Sequence, residues 1–245
     1  MTMHYDPQPD SHAASVRRVT QLVARPGRGH LLPPLHDSVE AAPHGLYRSR
    51  LKRVFDLAVI VIFAPVTVLL VAALAIGVAL DGSNPFYCQD RVGRGGRIYR
   101  MWKLRTMVPD AEAALEAHLA QDPVARQEWG TTQKLKCDPR ITGFGRALRK
   151  TSLDELPQVW NVIIGDMSLV GPRPMMTSQQ DLYPGIAYYA LRPGITGPWQ
   201  VSQRNESSFA DRAHFDLAYD QSLSLATDLR LLARTVRVVL RATGY

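Results

Sequence analysis

The sequence predicts an α+β protein, with an apolar membrane helix followed by a small catalytic-sized domain that carries a β-hairpin and amphipathic helices. Three observations predict it. From Leu57 to Leu80 every residue is apolar or small except Thr67, a run long enough for a bilayer core. Two aromatic and β-branched stretches then flank the glycines of RVGRGGR, which is a hairpin pattern. Further on, apolar residues recur every three or four positions, the period of helices with one buried face.

Bulk properties narrow the function classes. The 245 residues suit one catalytic-sized domain with an appendage. Against 22 Asp+Glu stand 29 Lys+Arg, a formal charge of +7, which favours anionic partners such as phospholipid headgroups, phosphorylated substrates or nucleic acid. No nucleic-acid motif occurs, and a nucleic-acid protein would not need the apolar run, so no nucleic-acid partner is expected. Cys88 and Cys137 form no CxxC pair and no zinc-ligand cluster, so a cytosolic active domain is expected.

Residues 1–50 are rich in Pro, Gly, His, Ser and Arg and lack the apolar content to offset their ordering entropy. A disordered tail without a secretory signal is expected there, with the membrane segment at 51–80 and the catalytic domain at 81–245. The apolar run has two readings. A plain crossing is the first. The second is a re-entrant helix, because Pro65 removes a backbone donor mid-run and bends the helix. Positive charge also gathers on both flanks: Arg48, Arg50, Lys52 and Arg53 before it, and Arg91, Arg94, Arg97, Arg100, Lys103 and Arg105 after it. Both ends then favour the cytoplasmic side.

After the turn-rich DGSNP comes the hairpin, whose Lys103 and Arg105 are expected to turn toward a phosphate. Its glycines match neither GxGxxG nor a Walker A loop and are read as turn formers. One helix is expected from Pro109 to about Trp129, then a loop through Pro139, then a helix from near Gly145. That helix brings Arg146, Arg149 and Lys150 up to the acidic pair of TSLDELPQVWNVIIGDMSLVGPRP.

Asp154 and Glu155 have an ordinary reading as a helix start, since Ser152-x-x-Glu155 fits a capping box. Leu156, Val159, Trp160, Ile163 and Ile164 form an apolar stripe at helical spacing, and Gly165 is a stop. Pro157 favours Asp154 as the cap. Free N–H groups there would stabilise its ionised form, and an ionised aspartate can attack phosphorus. Beyond this helix GDMSLVGPRP is expected as an ordered loop, its prolines holding Arg173 in few directions, suited to a phosphorylated group. At the C-terminus Leu225, Leu229, Leu232, Val236 and Val239 form a stripe beside Arg230, Arg234, Arg237 and Arg241. It either lies in a membrane interface or packs on the core.

KRVFDL, QDRVG, KLRTM, DPRIT, LRKTSLDELPQ, GDMSLVGPRP and RPGITGPWQVS follow one another in this order. In series they resemble the bacterial sugar transferase family, the monotopic polyprenyl-phosphate phosphoglycosyl transferases. The C-terminal segment resembles the exopolysaccharide-initiating galactose-phosphate transferases. The resemblance implies transfer of a sugar-1-phosphate, of galactose or glucose, from a UDP-sugar to undecaprenyl phosphate, releasing UMP. It implies Asp154 as the nucleophile of a covalent phosphosugar intermediate, and Mg²⁺ held by Asp154 and Glu155. Arg173 becomes the nucleotide-binding arginine, with Lys103 and Arg149 as phosphate neighbours. It also implies the re-entrant topology about Pro65 and a catalytic domain on the cytoplasmic face of the bacterial inner membrane, in contact with membrane lipid. A homo-oligomer is compatible with the sequence. A catalytically inactive membrane-bound nucleotide-sugar sensor or scaffold is the alternative, and it would tolerate loss of the carboxylates. Three positions depart from the family pattern: Ala64 where Ser is common, Met175 where an acid is frequent, and Gln203 where Gly is usual.

Overall fold

The computed structural model describes residues 45–82, 84–132, 135, 137–202 and 209–240. Most of the expected tail and Gln203 lie outside the described residues. Helices accompany two small two-stranded sheets, the mixed composition expected.

A π-type turn at Tyr47–Leu51 leads into α1, Lys52–Leu80. The helix continues through Pro65, where one backbone hydrogen bond is lost. Val61, Ile62, Phe63, Val66, Val68 and Leu69 are all more than half exposed, a surface that suits lipid and not water. From Tyr47 to Leu80 the helix is long and apolar enough to cross a membrane. Its first turns are tied down by acids. Arg48 pairs with Asp220 at 2.6 Å, and the Tyr47 hydroxyl and Lys52 ammonium both donate to Asp228 at 2.7 Å. Asp228 is fully buried and accepts a third bond from Tyr219 at 2.6 Å. Asp56, buried in the same helix, accepts from the Ser168 hydroxyl at 2.7 Å.

β1 (Phe86–Val92) and β2 (Ile98–Leu104) form the expected hairpin sheet. Gly95 and Gly96 take positive φ in its turn, and the Gly93 N–H donates to the Arg97 carbonyl at 2.7 Å. The single helix expected next is two, α2 (Ala111–Gln121) and α3 (Pro123–Thr132). Asp122 breaks it by accepting from the Val124 and Ala125 N–H groups at 2.8 and 3.0 Å. Asp followed by Pro is a helix start, with proline at a first-turn position that has no use for an N–H.

α4 (Gly143–Thr151) is capped by the Thr142 hydroxyl, which accepts from the Gly145 N–H at 2.9 Å. A Cβ on Gly145 would lie 2.2 Å from the Thr106 carbonyl oxygen, so only glycine lets α4 lie against the chain leaving β2. α4 ends at Ser152, in the left-handed region at φ 57°. A 3-10 turn, Leu153–Glu155, precedes α5, Gln158–Ile164. The expected capping box is therefore absent. Ser152 instead closes α4, donating its N–H to the Arg149 carbonyl at 3.1 Å, and its side chain makes no capping bond. Asp154 lies in the 3-10 turn rather than at the cap of α5.

α5 turns its apolar stripe outward. Trp160, Ile163 and Ile164 are exposed, whereas the polar Gln158 and Asn161 are buried. The segment expected as a loop beyond it contains β3 (Ser168–Val170), paired in parallel with β4 (Gly194–Thr196), Ser168 opposite Gly194 and Val170 opposite Thr196. Three residues are too few to show a period, and the partner comes from the distant RPGITG segment, so the pairing is not readable locally. A 3-10 helix at Thr177–Leu182 follows β3, and α6 (Ala187–Ala190), α7 (Pro198–Ser202), α8 (Arg212–Ser222) and α9 (Leu225–Leu240) complete the elements of the described residues. Along α9, Leu225, Leu229, Val236 and Val239 are exposed, while Asp228 and Leu231 face inward. The C-terminal stripe therefore does not pack on the core.

The chain divides into two compact units. One gathers the residues up to Ala58 with Asp90–Tyr99 and Val162–Val236, about a core of Val92, Met175, Tyr183, Tyr188 and Ala213. Met175 owes its apolar character to that core, where it is 1% exposed. The other comprises Val59–Gln89, Arg100–Asn161 and the chain from Arg237, with Val78, Leu104 and Leu148 at its centre.

Candidate active site

Asp154 and Glu155 occupy the turn between α4 and α5. β2 delivers Lys103 to them: its ammonium is 2.8 Å from Glu155 Oε1 and 3.8 Å from Asp154 Oδ2. α4 delivers Arg149, whose Nε donates to the Thr106 hydroxyl at 2.8 Å. The close approach of Gly145 to Thr106 thus also sets where Arg149 can reach.

Asp154 is buried, and burial is the largest influence holding its carboxyl above the usual range, with Glu155 adding to it and Lys103 and Arg149 opposing. Burial likewise lowers the Arg149 guanidinium, and Asp154 and Asp138 counter it. Asp138 belongs to the DPRIT segment. Burial acts to raise its pKa, but a hydrogen-bonded fork from Arg140, at 2.6 to 3.1 Å, brings it below the ordinary value. The result is a partly desolvated carboxylate between two cations, an environment suited to accepting phosphate oxygens.

Asn161 fixes the turn against the strand. Fully buried, it accepts from the Trp102 N–H at 3.0 Å and donates to the Arg100 carbonyl at 2.7 Å, so α5 is stitched to the backbone of β2 on either side of Met101. No local signal marks it, because its partners lie on a different element. Arg105 is held at the turn after α1, where its Nε donates to the Asn84 carbonyl at 3.0 Å and its guanidinium lies 5.8 Å from the Tyr87 ring.

Lys103, Arg149, Asp154 and Glu155 are thus brought together within one compact unit. Arg173 belongs to the other. There it lies 5.6 Å from the Trp199 ring centre, and Arg212 lies 4.3 Å from the same ring. Burial, with Arg173 as a like charge, lowers Arg212 to about 10. Its Nε is buried without a hydrogen-bond partner among the described residues. Trp199 and Arg212 were not singled out from the sequence; an aromatic shortly after RPGITG was the available signal.

Adjacent carboxylates on one tight turn supply hard oxygen donors of the kind Mg²⁺ takes when phosphate and water complete its shell. Among the described residues no cluster of three or more His, Cys, Asp or Glu forms an all-protein metal cage.

A model of the family described as bacterial sugar transferase matches residues 47–242. The chain is 46% identical over 200 residues to the UDP-galactose-lipid carrier transferase of Erwinia amylovora, covering 79% of this chain and 41% of that protein. It is 44% identical over 196 residues to the undecaprenyl-phosphate galactose phosphotransferase of Salmonella typhimurium, again covering 79% and 41%. The exopolysaccharide production protein ExoY of Sinorhizobium fredii is 42% identical over 197 residues, covering 79% of this chain and 87% of its own length. The chain therefore spans less than half of the first two relatives and most of the third. Since the family model takes in the whole described chain beyond Leu46, the carboxylate turn included, the chain belongs to the bacterial sugar transferase family.

Proposed function

We propose that the protein transfers a sugar-1-phosphate, of galactose or glucose, from a UDP-sugar to undecaprenyl phosphate, yielding undecaprenyl-diphosphate-sugar and UMP and so initiating an exopolysaccharide or related glycoconjugate. The observation that carries the reading is the buried Asp154 carboxylate beside Lys103 and Arg149 on a turn braced by Asn161. The names of the Erwinia and Salmonella relatives support galactose.

In this reading an Asp154 oxygen attacks the sugar-bearing phosphorus, the bond to the UMP oxygen breaks, and UMP leaves with its electron pair. The undecaprenyl phosphate oxygen then attacks the same phosphorus and releases the Asp154 carboxylate, so no net charge or proton is lost between the half-reactions. Two displacements through a carboxylate replace one between two anionic phosphates. Lys103 and Arg149 hold the phosphoryl oxygens and offset the charge that builds on them. The family resemblance assigns the nucleotide to Arg173, whose guanidinium lies 5.6 Å from the Trp199 ring centre within its own unit. Asp154 and Glu155 would hold Mg²⁺, which would neutralise phosphate charge. α1 enters and leaves the same bilayer face about Pro65, and the outward stripes of α5 and α9 rest in the interface of the inner membrane's cytoplasmic leaflet.

Membranes carrying the protein, given Mg²⁺, undecaprenyl phosphate and a panel of UDP-sugars, should release UMP. Asp154→Asn should lower this by more than about a thousandfold, and a phosphosugar adduct, joined as a mixed anhydride, should be trapped on Asp154 by mass spectrometry. Full turnover in the Asn variant would overturn Asp154 as the nucleophile, and no UMP release from the unaltered protein with any UDP-sugar would favour a sensor or scaffold.

A further inference from the structure

In the unit that holds β3 and β4, a pocket of about 510 Å³ is walled by Arg53, Arg94, Arg97, Arg192, Asp166 and Tyr99, together with the Gly165 turn. It uses none of the residues assigned to catalysis. Part of its charge is spent on backbone. Arg53 donates to the Val162 and Ile163 carbonyls at 2.5 and 2.8 Å, and Arg192 donates from Nε to the Gly165 carbonyl at 3.0 Å. These carbonyls lie at the C-terminal end of α5, where cations are welcome, and the Val162 carbonyl also accepts from the Gly165 N–H at 3.0 Å. Arg97 pairs with Asp166 at 2.6 Å. Arg94 has no hydrogen bond or ion pair among the described residues.

Four guanidinium groups therefore face one carboxylate. Arg192 feels the crowding: burial depresses its pKa most, Arg94, Arg53 and Arg97 add to this as like charges, and Asp56 opposes them. The Tyr99 hydroxyl is buried without a hydrogen-bond partner among the described residues, adding an unspent donor to the wall. Arginines crowded at this density are stable when an anion bridges them, and guanidinium forks match the oxygens of phosphate. Arg53 also lies one helical turn ahead of Leu57, where the apolar run begins. That is the depth of headgroups if the run is in lipid.

We propose that this pocket binds a phosphate group, carried by an anionic lipid headgroup or free as a phosphate anion. The test uses the full chain in neutral detergent micelles, titrated with inorganic phosphate, short-chain phosphatidylglycerol or short-chain phosphatidylcholine, and read by calorimetry and thermal unfolding. Arg94→Ser should weaken the bound anion about tenfold, the equivalent of one charge-assisted contact. Arg94→Lys should retain most of the affinity, since the exposed turn tolerates both. Loss confined to phosphatidylglycerol assigns the site to lipid, and loss confined to phosphate assigns it to a soluble anion. Equal affinity for all three probes, or binding unchanged in Arg94→Ser, would overturn the proposal. UMP release in detergent should be unaltered by Arg94→Ser, which separates a failure here from a failure of the catalytic reading.

Discussion

Asp154 is pulled two ways: burial and Glu155 favour its neutral form, while Lys103 and Arg149 favour the carboxylate. A nucleophilic carboxylate must be ionised, so turnover should fall with acid from a limb above the ordinary carboxylate range. Removing a neighbouring cation raises a carboxylate pKa further. Lys103→Met should therefore move the acid limb of kcat to higher pH and lower its plateau by about tenfold, in keeping with one lost charged contact. A pH profile of UMP release checks both, and an unmoved limb would show that Lys103 does not act on Asp154. Asn161 contributes differently. With Asn161→Ala the Trp102 N–H and Arg100 carbonyl lose their partner, and two stranded groups should cost about 2–4 kcal/mol in thermal unfolding. Asn161→Asp, which keeps the acceptor for Trp102 but buries a carboxylate against the Arg100 carbonyl, should cost at least as much. The sequence displays Asp154 and Glu155 because they are adjacent and acidic; it hides Asn161 because its importance lies in contacts some sixty positions away.

At the scale of elements, the same distinction decides what could be read in advance. The hairpin is legible because its turn glycines and paired runs are contiguous, and α4 begins close to the expected Gly145. The break at Asp122-Pro123 is written in a dipeptide and is overridden in a reading by long-range period alone. β3 is too short for any period and exists because β4 pairs with it. The first turns of α1 are the clearest case. Their arginines and lysine read as a loose basic flank, yet Lys52 reaches the fully buried Asp228 at 2.7 Å. Breaking one side of a buried ion pair leaves a charge without its counterpart. Lys52→Met should lower stability by about 3 kcal/mol, towards the low end of such losses because Tyr47 and Tyr219 still donate to Asp228. Thermal unfolding in detergent measures it, and a change below about 0.5 kcal/mol would show that the pair is immaterial.

At the scale of the whole molecule, one helix among the described residues, Tyr47–Leu80, is long and apolar enough to cross a membrane. A straight crossing would put the two flanks of the run on opposite sides of the bilayer. Positive charge on both flanks opposes that. Pro65 lies within the run, where the Val61 carbonyl has no proline N–H to accept from, and a bend there would return the helix to the face it entered. The apolar residues exposed on α5 and those exposed on α9 each suit a membrane interface. Single cysteines at Gly45→Cys or Asn84→Cys, in a chain with the free Cys88 and Cys137 changed to Ser, report the two ends of the run. A membrane-impermeant maleimide should label both in inverted vesicles and neither in intact spheroplasts. Pro65→Leu restores the missing donor and straightens the helix, so residue 45 should then become accessible from outside while residue 84 does not. Labelling of residue 45 from outside in the unaltered helix would establish a crossing, and the re-entrant arrangement would have to be abandoned.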